Sequence, residues 1–337
     1  MSIYRRRLMI ANALKKSDSN INYPGLIAAW SAKGKSNDDV DRAVLRDLTG
    51  NGHDITLNNF AFSEMSGYGG YNTDFTKWQS YSNIVYLEAK KKTYIKIKKI
   101  YSTSAFMLTT KNENVEKYKI TGLVEGQNIK FGFAETQEVI VSCESDGIYT
   151  VDWSKLQGEK RNIYSTSPGN YDLIISLVPE YPDALVFDGV DDYGIINKDN
   201  PVLEDFTIIT KRIYQNGNIT GCLLSKYKIG NSCFSFESNG NNFGVFGSPN
   251  QIRYSENEIV YGTTKSYNGE RSLNKGNNRD ANFVQIKLGT FDDVRFSNFA
   301  FYSAYLFDRS LDEQEIKAFI RKYIDADYVL PREQTTE

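Results

Sequence analysis

Three carboxylates crowd the stretch Asp188-Gly-Val-Asp-Asp192, and a second stretch, Asp47-Leu-Thr-Gly-Asn-Gly-His-Asp54, adds Asp47 and Asn51. Carboxylate and amide oxygens are hard ligands, of which Ca2+ takes about six to eight. Asp47, Asn51, Asp188, Asp191 and Asp192 are therefore the candidate metal set, provided the fold brings the two stretches together. The same side chains have a second use, because Asp and Asn in tight turns accept backbone N–H bonds. Aromatics supply a different chemistry. Tyr68 and Tyr71 sit on the glycine-rich run Ser66-Gly-Tyr-Gly-Gly-Tyr71, Trp78 follows closely, and Tyr254 stands beside Arg253. Ring faces stack on the C–H surfaces of sugars while planar polar groups pair with hydroxyls. These five are the candidate saccharide contacts, each with the alternative of packing on its own domain.

The scarce residues exclude other chemistries. His53 is the single histidine, and histidine is the usual general base and metal ligand near neutral pH. No Gly-x-Ser-x-Gly elbow is present to complete a hydrolase triad, and His53 itself lies among turn formers. Cys143, Cys222 and Cys233 are scattered without a Cys-x-x-Cys pair, which argues against zinc and for reduced thiols. A Cys222–Cys233 disulfide stays open, since both fall in strand-like segments.

The elements that must carry these residues read as strands. Leu26–Trp30 is a short apolar run, and Ile55–Phe62 resumes it after the Asp47 turn. Between residues 76 and 180 the alternation is clean in Tyr94–Ile100, Lys117–Val124, Asn128–Phe133, Glu138–Cys143, Gly147–Trp153 and Tyr171–Val178. Several short alternating strands with turns between them predict a small antiparallel sandwich. The lysines Lys90, Lys91, Lys92, Lys96, Lys98 and Lys99 read as its solvated face, with a polyanion patch as the other reading. Strand-like runs return at Ala184–Phe187, Tyr193–Ile196, Phe206–Tyr214, Cys222–Lys226, Cys233–Glu237, Phe243–Phe246, Phe283–Leu288 and Phe296–Phe307. Ser310-Leu-Asp-Glu313 reads as a capping box ahead of a helix whose apolar face is Ile316, Phe319, Ile320, Tyr323 and Ile324.

Trp30 and Trp153 lie inside strand patterns and are expected in the core. Charge is balanced, 40 Lys+Arg against 42 Asp+Glu. A nucleic-acid binder held by phosphate neutralisation carries a basic excess, so that class is excluded. No run of ~18 apolar residues exists to span a membrane. The start of the chain has a basic Arg5–Arg7 cluster and an Ala-x-Ala at Ala11–Ala13, but only Leu8–Ile10 between them, short of the ~7–15 apolar residues of a secretory leader. It reads as an amphipathic helical arm.

Three pieces together resemble the laminin-G-like, concanavalin A-like lectin/glucanase superfamily. They are Leu26–Trp30 with Asp47-x-Thr-Gly-Asn-Gly, then Ala184-Leu-Val-Phe-Asp-Gly-Val-Asp-Asp-Tyr193, then Tyr305-Leu-Phe-Asp-Arg-Ser-Leu-Asp-Glu-Gln-Glu-Ile316. The resemblance implies an all-β chain: a jelly-roll sandwich from 23–75 plus 181–328, interrupted by an inserted second sandwich at 76–180, with an arm and linker at 1–22 and a tail at 329–337. A surface loop is the kind of site that tolerates such an insertion. Glucanases of this superfamily use a Glu-x-Asp-x-x-Glu strand, since retaining hydrolysis needs two carboxyls about 5 Å apart. No such triplet occurs, and Asp292-Asp293 lacks the spaced glutamate.

The expected function is thus non-enzymatic glycan binding or adhesion, with a glycan or cell-surface polysaccharide as partner and Ca2+ as the one cofactor to consider. The layout also resembles proteins of gut bacteria and of their phages or prophages. That implies a surface component such as a tail or head fibre, virion-associated or made in the host cytoplasm. The helical arm would then dock onto a virion partner or a second copy. A structural assembly or decoration protein without a sugar site is the alternative from another class.

Overall fold

The computed structural model describes residues 21–101, 107–111, 114–133, 138–156, 161–196, 203, 205–215, 222–226, 234–237, 243–245, 252–254, 258–263, 285–291 and 295–325, with the backbone alone at 237, 243–245 and 252–254. The helical arm, Cys233, Asp292, Asp293 and the tail lie outside the described residues. The chain is mostly β, in antiparallel sheets. It divides into two compact units. One holds the residues up to Ala61, Ser66–Tyr68 and those from Asp183 on; the other holds Phe62–Met65 and Gly69–Pro182. Among the described residues no helix is long and apolar enough to cross a membrane.

The first unit contains two seven-stranded sheets. One is organised on the long strand Asn298–Phe307. Thr207–Tyr214 lies antiparallel along one side of it, while Leu26–Ser31 and Leu185–Asp188 follow each other end to end along the other. Two stretches far apart in sequence therefore share one strand. Nearly every side chain of Asn298–Phe307 is buried, as expected of a strand covered on both faces. Part of that cover is the helix Glu313–Tyr323, whose Ile316, Phe319 and Ile320 join Leu26, Ala29, Ile209, Tyr305 and Phe307 in one apolar cluster.

The helix starts two residues later than the capping box at Ser310 predicts. Asp312 is the N-cap, accepting from Glu315 N–H at 2.8 Å, and the Glu315 carboxylate takes the Asp312 N–H at 3.0 Å. The sequence holds the pattern twice in overlapping frames. The earlier frame is used up because Leu311 is buried and gives its N–H to Thr207 Oγ1 at 2.9 Å.

The second unit pairs two five-stranded sheets around one core. Ile95, Ile97, Tyr118, Ile120, Leu173 and Ile175 come from one sheet, and Leu108, Ile129, Phe131 and Ile163 from the other. Phe75 and Trp78 belong to this core as well. The unit therefore begins ahead of residue 76, where the change in sequence texture places the border. The strict alternation in Val115–Thr121 has one oddity with consequences: Glu116 takes an inward place beside Tyr118 and Ile120, while Val115, Lys117 and Lys119 point outward.

Candidate functional site

The fold does not assemble the five-residue metal set. Asp47 is buried and its carboxylate is consumed by its own loop and by the strand Leu26–Ser31. Oδ1 accepts from Ala29 N (3.1 Å), Thr49 N (3.0 Å) and Thr49 Oγ1 (2.8 Å), and Oδ2 accepts from His53 N (3.1 Å). Asn51 spends its amide on Ile27 O at 2.9 Å. Trp30 Nε1–H donates to the His53 carbonyl at 2.7 Å, so the Asp-x-Thr-Gly-Asn-Gly loop is a clasp over the fully buried Trp30.

Among the described residues, the acidic side chains that do converge are Asp188, Asp191 and Asp192, with ligand atoms within 4.8 Å of one another, and Asp47 is not among them. Here too local hydrogen bonds engage two of the three carboxylates. Asp188 Oδ1 accepts from Val190 N (2.8 Å), and Asp192 accepts from Asp188 N on Oδ2 and from the Ser66 hydroxyl on Oδ1, both at 3.0 Å. Gly189 stands at φ +77°, where a Cβ would lie 2.9 Å from Asn298 Cβ, so the turn requires glycine. Burial, and then the charges of Asp188 and Asp191, push the Asp192 carboxyl up to about 7.

The proposed sugar-contacting aromatics separate. Tyr68 is buried: its hydroxyl donates to Arg42 O at 2.9 Å and its N–H to Asn37 Oδ1 at 2.7 Å. Trp78 is also buried, with Nε1 on Thr73 Oγ1 at 2.9 Å and its ring edge-on to Phe75 and Trp153 at 5.2 and 6.1 Å. Neither ring offers a face to a ligand. Arg253 and Tyr254 lie on the strand Ile252–Tyr254 at a sheet edge, paired with Ile259–Thr263, and their side chains are outside the described set.

Tyr71, by contrast, opens onto a cleft of about 460 Å3 within the second unit. Its companions there include Asn72, Glu116, Lys117 and Glu180. Backbone bonds fix the walls. Glu180 and Tyr181 donate to Gly70 O and Gly69 O at 2.9 and 2.8 Å, Tyr71 N donates to Glu64 O at 2.9 Å, and Val178 N donates to Lys117 O at 2.9 Å. Gly69, at φ +89°, lets the Tyr71 ring lie down on the loop, since a Cβ there would sit 3.1 Å from the ring and 3.0 Å from Pro179 Cβ.

At the inner end of the cleft the buried Glu116 carboxylate accepts the Tyr118 hydroxyl, which in turn accepts Trp153 Nε1–H at 3.0 Å. Burial and the neighbouring Glu116 charge raise the Tyr118 phenol well above its ordinary value. Asn72, Glu116, Lys117 and Glu180 are absent from the residues that sequence reasoning singles out. One signal was available, a glutamate at an inward place in an alternating strand.

The lysine-rich face is largely tied down. Lys90 and Lys92 donate to Trp78 O and Phe62 O, Lys96 pairs with Glu88 at 2.6 Å, and Lys98 pairs with Asp172 at 2.7 Å. Comparison with protein-family models, with curated proteins and with solved structures finds no match for this chain. What the geometry defines is an all-β protein of two units, one of which carries a mixed aromatic and polar cleft.

Proposed function

We propose that this chain is a non-enzymatic glycan-binding protein of the adhesion type, and that its first unit is a concanavalin A-like jelly roll. The observation that carries the binding reading is the cleft at Tyr71. It combines a half-buried ring with an amide, a lysine and a carboxylate at an exposed rim, in the size range of about 300–1,000 Å3 typical of small-molecule sites. An aromatic platform with a few directional polar groups is what a pyranose ring needs, because its faces are apolar and its edges are hydroxyls. The lectin kinship of the first unit is supported by its three sequence pieces. The strands of the first two follow each other end to end along Asn298–Phe307, the strand that the third piece closes.

A glycan array probed with the intact chain and with Tyr71→Ala tests the reading. Wild type is expected to light a coherent set of related saccharides, and the variant to lose them while keeping its thermal unfolding midpoint. Blank arrays for a folded wild type would overturn it and favour the assembly-protein alternative.

A further inference from the structure

We infer that the Tyr71 cleft takes an acidic saccharide, one bearing carboxylates such as a uronic acid, in preference to a neutral one. The inference rests on the glycan-binding reading above and adds the ligand's charge. Its basis is the difference between two sets of lysines on one sheet. Lys96 and Lys98 face Glu88 and Asp172 and are neutralised by them. Lys117 and Lys119 are exposed, and among the described residues no carboxylate pairs with either.

Their cross-strand neighbours explain why. Lys117 lies opposite Thr150, and Lys119 lies between Ile148 and Ser176, all uncharged. The two lysines are alternate residues of one strand, so their side chains leave the same face roughly 7 Å apart. Lys117 also lines the cleft that holds Tyr71. A ring stacked on Tyr71 would thus find a cation to one side, with a second cation at about the spacing of a neighbouring substituent.

The two carboxylates of the cleft set the ligand's orientation. Glu116 is buried and already accepts the Tyr118 proton, so its charge is engaged on the inward side. Glu180 is exposed on the other side of the cleft, suited to accept from sugar hydroxyls and to repel a carboxylate. The ligand's acid group is therefore directed towards Lys117 and Lys119, and its hydroxyls towards Glu180 and Asn72.

The test is titration calorimetry on the full chain with hexamers of galacturonic acid and of hyaluronan, each beside its carboxyl-reduced neutral twin. An exposed ion pair is worth up to about 1 kcal/mol, or roughly fivefold in affinity. At least one acidic hexamer is expected to bind about fivefold or more tightly than its twin. That advantage should shrink between about 0.01 and about 1 M salt, as the screening length falls from about 30 to about 3 Å. Lys117→Met is expected to weaken the acidic hexamer more than its neutral twin and so to lose the advantage, and Glu180→Gln to keep or enlarge it.

Equal, salt-independent binding of acid and neutral twins would overturn this inference and leave the glycan reading standing. Tighter binding after Lys117→Met would also overturn it. No binding of either twin, together with blank arrays, would remove both.

Discussion

Asp192 and Ser66 are sealed together away from solvent, the Ser66 hydroxyl donating to Asp192 Oδ1 at 3.0 Å while Ser66 Oγ accepts the Ala61 N–H at 2.9 Å. A carboxyl that titrates near 3.8 when unfolded and at about 7 when buried here makes stability depend on pH. Between those values the folded chain holds the proton and the unfolded chain has released it. The contribution of this group is therefore fully present near pH 4 and is lost as pH rises through 7. Thermal unfolding followed from about pH 4 to about pH 8 should show the wild type losing stability along that path. Asp192→Asn, which cannot ionise, should show a flatter profile and at least match the wild type at the alkaline end. Parallel curves for the two proteins would refute the assignment.

Asp47→Ala tests the clasp over Trp30. The substitution leaves the N–H groups of Ala29, Thr49 and His53 without the carboxylate they now share. A buried donor left unsatisfied costs about 1–3 kcal/mol. Some relaxation is expected where the loop tip at Gly50–Gly52 is exposed, so the net loss should be about 2–4 kcal/mol in denaturant unfolding. Because the carboxylate is engaged by its own loop, added Ca2+ should not restore the lost stability. Restoration by the ion would return Asp47 to the metal set.

How much of this was legible in the sequence depended on how each element buries itself. Strands with one wet and one dry face announce themselves. Tyr94–Ile100 and Tyr193–Ile196 alternate in burial and stand at the residues their patterns mark. Arg161–Tyr164 is buried at every position and its polar Arg and Asn interrupt any apolar run, so no period appears. Val44–Leu45, Gly67–Tyr68 and Gln79–Ser80 are too short to have one. Ile55–Phe62 reads as one strand but stops at Asn58, because Asn59 and Phe62 take positive φ (66° and 48°) and turn the chain.

Tyr68 and Trp78 misled for a related reason. A tyrosine between glycines and a tryptophan beside polar residues resemble surface groups, yet each has a local partner for its polar atom, Arg42 O and Thr73 Oγ1. With that atom satisfied, the ring can be buried. The cleft was hidden because its residues come from three segments, around Tyr71, Val115–Lys117 and Leu177–Pro182, that only the fold brings together.

Cys143 offers a test of the second unit's core. It is fully buried, and burial pushes its thiol up to about 12, so neither access nor thiolate is available in the native state. Alkylation of the folded chain near neutral pH, read by peptide mass mapping, should leave Cys143 unmodified until denaturant is added. Rapid native labelling at this residue would mean that the two five-stranded sheets do not close over it.

Gly69→Ala joins the backbone to the proposed site. At φ +89° an alanine is strained wherever it points, and here its methyl would meet both the Tyr71 ring and Pro179. The conformational cost alone is about 1 kcal/mol or more where φ is positive. The ring is the softer neighbour, since Pro179 sits next to Glu180, whose N–H is bonded to Gly70 O. The expected result is a loss of about 1–2 kcal/mol in stability. Alongside it, saccharide affinity should fall out of proportion to that loss and approach that of Tyr71→Ala, because the platform has been lifted from its loop. A variant that loses stability but binds as wild type would show that the ring's seat on Gly69 does not position it for the ligand.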